Sequence, residues 1–91
     1  MKPLFELGQV VATPGAMEVI SAAKEDYVKF IHQHVSGDWG ALDKHDKDLN
    51  DMAVLNGNRI LSAYLIGVRD KIWIITEADR AFTTILLPSE Y

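Results

Sequence analysis

The hydrophobic pattern of this chain changes period once, and that change restricts its fold more than any other feature. In the first half, apolar residues recur at spacings of three and four. In the last third they gather into three short runs, RILSAYLI (59–66), KIWIITE (71–77) and FTTILL (82–87). β-Branched and aromatic side chains dominate these runs, as strands require. Gly67-Val68-Arg69-Asp70 joins the first two and Ala78-Asp79-Arg80-Ala81 precedes the third. Connections of that length, rich in turn formers, make hairpins. The three runs therefore predict an antiparallel meander.

The earlier segments read as helices. Thr13 is placed to cap a first helix, with Pro14 at the first helical position, where its missing N–H costs nothing. Ala16, Val19, Ile20 and Ala23 then mark one apolar face. After a turn at 24–26, Asp26 caps a second helix carrying Val28, Ile31 and Val35, with Tyr27 and Phe30 flanking, and ending before Gly37. A third helix over 43–55 opens at Asp43 and closes at Asn56-Gly57, where glycine supplies the left-handed cap. Its inward stripe is expected to be His45, Leu49, Met52 and Ala53; Lys44/Asp48 and Lys47/Asp51 pair on its outer face. Residues 4–12 read as an extended segment interrupted at Gly8, available as a fourth strand. The expected architecture is α+β: about three short helices packed on one face of a three- to four-stranded antiparallel sheet.

Length allows one domain over residues 1–91. At 48% hydrophobic and 24% charged residues the composition is that of an ordinary folded protein rather than a disordered one. Nine Lys and Arg against 13 Asp and Glu give a net charge of −4, which disfavours nucleic acid as a partner. The absence of cysteine removes disulfides, thiolate metal sites and thiol nucleophiles. No secretory leader is recognisable, and no apolar run approaches the about 18–20 residues of a membrane helix. A cytoplasmic location without membrane contact is the expectation.

Motifs that would fix a chemistry are missing. P-loop, dinucleotide-binding, nucleophile-elbow, HExxH and zinc-finger patterns are absent, so no cofactor is expected and no metal site is assigned. His32 and His34 lie two apart, which on a helix points them about 200° apart and prevents them sharing one ion. His34 is expected to border the Tyr27/Phe30 face while His32 is solvated. The acidic run 43–51 mimics a calcium loop, but Asp51 stands where the sharp turn needs glycine and Gly57 where a bidentate glutamate is required. Ser21, Ser36, Ser62 and Ser89 lack the neighbours of a nucleophile. Two loops remain as candidate binding elements. Asp38 and Trp39 sit between two glycines, with Trp39 read either as a plug over the core or as an exposed anchor for a partner. Asp79 and Arg80 lie at a hairpin tip.

The strings LFELGQVVATPGA (4–16), HVSGDWG (34–40), NGNRILSAY (56–64) and KIWIITEADRAFTTILLPSEY (71–91) carry a resemblance. Together they resemble a family of small bacterial proteins encoded on plasmids and integrative elements, termed plasmid-related proteins. The resemblance spans nearly the whole chain and implies a cytoplasmic accessory protein of mobile DNA. It brings no activity, so no catalytic residue carries over. At the level of fold alone, helices preceding a meander are similar to ribonucleases of the barnase and RelE kind. That likeness would give roles to His34, His45, Arg59, Tyr64, Glu77 and Arg80. Three functional expectations follow: a protein-binding accessory protein, with action against host defence as one version; a small ribonuclease; and a structural subunit that forms a homodimer through a free sheet edge.

Overall fold

The computed structural model describes residues 3–91. Its elements follow the chain as β1 (Gln9–Ala12), α1 (Pro14–Ala22), α2 (Tyr27–Val35), α3 (Lys44–Asn56), β2 (Ile60–Ile66), β3 (Asp70–Thr76), β4 (Phe82–Leu86) and a terminal 3₁₀ turn (Pro88–Glu90). Each helix starts on the cap its sequence supplies. Thr13, Asp26 and Asp43 accept from the backbone amides of Ala16, Val28 and Asp46. Gly57 ends α3 in the left-handed conformation, at φ +74°.

The three C-terminal strands form the expected meander, and β1 joins it beside β4, giving the order β1-β4-β3-β2. One expectation is corrected here. β1 runs parallel to β4, so the sheet is mixed rather than antiparallel. The N-terminal strand reaches β4 without a hairpin, and nothing in its local sequence fixes its direction. It is also shorter than 4–12 because Gly8, at φ +64°, turns the chain out of extended geometry. A Cβ there would stand 2.3 Å from the carbonyl oxygens of Arg80 and Ala81, so only glycine lets the segment pass.

Strand alternation sorts the sheet into two faces. Tyr64 and Ile66 of β2, Ile72 and Ile74 of β3 and Ile85 of β4 share one face and pack with Ala16 and Ile20 of α1 and Phe30 of α2. A second, smaller cluster joins Trp39, Ala53 and Ile60, with Phe5, Leu42 and Val54 against it. On the other face the 3₁₀ turn brings Tyr91 edge-on to Trp73, ring centres 5.6 Å apart, and onto Arg59. Glu90 ties this end back to α1 by accepting from the Thr13 hydroxyl and the Leu87 amide, each at 2.7 Å. These hydrogen bonds hold the Glu90 carboxyl below its usual pKa.

α3 does not lie on the sheet face with α1 and α2; it lies along the outer edge of β2. Asn50 explains this placement. Its side-chain amide donates to the Leu61 carbonyl at 2.6 Å and its oxygen accepts the Leu61 N–H at 3.2 Å, substituting for a neighbouring strand. Gly40 continues the seal through a bridge to Ala63, with Ala41 N–H donating to the Ala63 carbonyl at 2.7 Å. Gly40 sits at φ +75°, and a Cβ would fall 1.9 Å from the Ala63 oxygen. That close approach is what requires glycine.

Candidate functional site

Between the two apolar clusters a polar row crosses the sheet: Ser62 on β2, Thr76 on β3 and Thr83 on β4, all fully buried. His34 of α2, also fully buried, closes over it. Its Nδ1 meets Ser62 Oγ, and its Nε2 lies 2.8 Å from Thr76 Oγ1. Thr76 Oγ1 is 2.7 Å from Thr83 Oγ1, and Thr83 Oγ1 donates to the Leu7 carbonyl at 2.7 Å. The proton count fixes every direction in this chain of bonds. Thr83 spends its hydrogen on Leu7, so it accepts from Thr76; Thr76 therefore accepts from His34. His34 carries its hydrogen on Nε2 and accepts from Ser62 at Nδ1.

Phe5 and Trp39 shut this network from water, their rings meeting the imidazole edge-on at 5.2 and 6.0 Å. Burial, and secondarily the positive charge of Arg80, lowers the His34 pKa to about 3. At neutral pH the ring is uncharged and committed to core hydrogen bonds. It is thus a structural histidine, deeper than a place beside the Tyr27/Phe30 face would make it.

The two loops singled out in the sequence both converge on α3. Trp39 is only 3% exposed, and its indole N–H donates to Asp51 of α3 at 2.9 Å. It is the plug; the exposed-anchor expectation does not hold, because α3 covers the ring. Asp38 stays at the surface, accepting from Gln33 and the Gly40 amide, while its backbone carbonyl takes the Tyr64 hydroxyl at 2.7 Å. Burial pushes the Tyr64 hydroxyl pKa upward. Arg80 reaches the C-terminal end of α3, donating to the carbonyls of Ala53 at 3.2 Å and Asn58 at 2.7 Å, with Phe5 stacked 5.6 Å from the guanidinium. A cation there answers the negative end of the helix dipole. Asp79 accepts from the Ala81 amide and shapes the turn.

The remaining candidates scatter. His45 is exposed on the first turn of α3, Glu77 is exposed just past β3, and Arg59 bonds to the Tyr91 hydroxyl. His34, His45, Arg59, Tyr64, Glu77 and Arg80 thus serve separate partners or solvent instead of lining one cleft. Among the described residues no cluster of three metal-ligating side chains occurs. No helix of the described chain is long and apolar enough to cross a membrane.

What the sequence reading assigned to the core is instead displayed. Of the expected inward stripe on α3 only Ala53 is buried: His45 is exposed, Leu49 and Met52 are 54% and 53% exposed, and Leu55 beside them is 79% exposed. The buried face of α3 is turned toward Asn50 and Ala53. A sequence signal existed in the polar Asn50, whose side chain is suited to an edge carbonyl and amide, but periodicity alone favours the leucines. Asp46, Asp48 and His45 lie among these exposed apolar groups, and Leu42, Leu49, Leu61 and Trp73 line a cavity of about 360 Å³ beside them. The surface is therefore an apolar helix face with charges of both signs at its margin: the Lys44–Asp48 ion pair at 2.9 Å, and Asp46 and Arg59 lining the cavity. Comparison with protein-family models, with curated proteins and with solved structures finds no match for the chain.

Proposed function

We propose that this chain is a cytoplasmic accessory protein of a bacterial mobile element that works by binding another protein through the outward face of α3. The observation that carries this reading is the exposure of Leu49, Met52 and Leu55 on one helix face that the fold itself props into place. Apolar side chains grouped on an exposed helix are what a partner's groove buries, with the helix read at i, i+3 and i+6 or i+7 spacing. Trp39, Arg80 and Asn50 hold that helix from beneath, from its C-terminal end and along β2. The resemblance of the four strings to plasmid-borne proteins supports the mobile-element context.

The test is affinity capture of the full-length tagged chain, expressed at native level in its bacterial host, followed by mass spectrometry. One stoichiometric protein is expected with the wild type and with Val68→Glu, whose position is 99% exposed in a distant turn. The same protein should be lost with Met52→Glu and with Leu55→Glu, both still folded. Retention of it by either α3 variant would refute the assignment of the surface. Recovery of RNA in place of protein would favour the ribonuclease reading.

A further inference from the structure

The two ends of the sheet are unequal. The β2 edge is covered by Asn50 and residues 39–41, whereas the β1 edge has no covering segment among the described residues. In the parallel ladder Gln9 N–H bonds to Ala81 and Thr13 N–H to Ile85, so the odd positions face β4. The amides and carbonyls of Val10 and Ala12 point the other way, unpaired, along a free edge. All four residues of β1 are exposed. On one side of the edge lies a groove of about 360 Å³ walled by Val10, Ala12, Met17, Tyr27, Val28 and Ile31; Val11 and Phe82 lie exposed on the other.

We propose that this edge is where a second copy of the chain pairs, β1 against β1 in antiparallel sense, making one eight-stranded sheet. Charge selects this occupant. Two chains of net charge −4 repel, so self-contact must avoid carboxylates, and residues 7–17 contain no ionisable side chain. By contrast α3 carries ionised side chains beside its apolar face, Asp46 and the Lys44–Asp48 ion pair, which a self-contact there would bring against their own copies. A two-fold axis through Val11 pairs Val10 with Ala12 of the second copy on either side of it, so the two outward amides and two outward carbonyls of each copy are satisfied in two reciprocal pairs. Gly8, turned out by its positive φ, and Pro14, lacking an N–H, end the ladder at its two limits. The Val11 side chains then touch across the axis, and the apolar grooves of the two copies become neighbours.

Sedimentation velocity over a concentration series tests this directly. The wild type should sediment as a species of twice 10.2 kDa. Val11→Lys, which places two ammonium groups at the axis, should raise the dimer dissociation constant at least ~100-fold. Leu55→Lys should leave it unchanged. A wild type that stays monomeric at its solubility limit overturns the proposal, as does a Val11→Lys dimer of undiminished affinity. Hydrogen exchange on the wild-type protein gives a readout independent of any variant's folding. The Val10 and Ala12 amides should gain protection as concentration rises, and concentration-independent exchange at both would equally overturn the pairing.

Discussion

Lowering the pH from 7 to 5 should destabilise the fold through His34 alone by about 2 kcal/mol. The unfolded ring titrates near its ordinary 6.5, while the folded ring is held to about 3. Between those values the unfolded state binds the extra proton, so stability is fully present above the unfolded pKa and falls as pH drops toward the folded one. At pH 7 the linkage has taken about 0.2 kcal/mol, and at pH 5 about 2 kcal/mol. The difference barely depends on the folded value, because at pH 5 the folded ring remains neutral for any pKa below about 4. Protonation in place is opposed by the directed bonds: a hydrogen on Nδ1 would face the hydroxyl of Ser62, whose own hydrogen would lose its acceptor. Ser62, Thr76, Thr83, Phe5, Trp39 and, at longer range, Arg80 face the ring, and no carboxylate is among these groups to compensate a charge. Urea unfolding followed by tryptophan fluorescence at the two pH values measures the loss. His34→Gln removes the titrating group, so the difference between its pH dependence and that of the wild type isolates His34 from the exposed His32 and His45. Equal pH dependence in the two proteins would refute the sealed, neutral histidine.

Other substitutions address the supports of α3. Trp39→Ala should cost about 3–5 kcal/mol, since it empties the middle of the smaller cluster and frees Asp51; a loss below about 1 kcal/mol in urea unfolding would contradict its role as plug. Gly40→Ala should cost at least about 2 kcal/mol from the positive φ and the collision with the Ala63 carbonyl, read as a lower melting temperature. Arg80 sits at φ +61°, so Arg80→Gly should be about 1 kcal/mol more stable than Arg80→Ala although both lose the bonds to Ala53 and Asn58. Equal stability of that pair would show that the backbone at 80 is not strained.

Local chemistry was legible where it is local. Caps at Thr13, Asp26 and Asp43, the glycine at 57 and the three strand runs follow from interactions within a few residues, and the sequence displays them directly. β1 was legible as a strand but not as a parallel one, because its neighbour β4 lies about seventy residues away and hydrophobic alternation has no direction. The orientation of α3 misled for a different reason. Its burial is set by Asn50 satisfying an edge strand's backbone, a polar contact that outranks the leucine stripe, and periodicity counts only the apolar residues. His34 illustrates the same limit from the other side. Its hydrogen-bond partners are 28 and 42 residues distant, so neither its depth nor its tautomer can be read from its surroundings in sequence. For Trp39 the sequence leaves plug and exposed anchor open, because the loop's glycines fit either, and for Arg80 it shows only a hairpin tip; both side chains turn inward to hold a helix.

The side-chain amide of Asn50 gives the sheet a valence. A β-sheet with two open edges can add copies at both ends without limit, which is how fibres grow. Here one end is terminated by that amide at Leu61 and by residues 39–41 at Ala63, so the proposed growth by strand addition would stop after one event. Replacing Asn50 by alanine would leave the Leu61 amide and carbonyl without their partner and open the part of this end that residues 39–41 do not cover. The expected outcome is turbidity or elongated particles in light scattering where the parent chain scatters as a small species, and the absence of any such growth would locate the stop elsewhere.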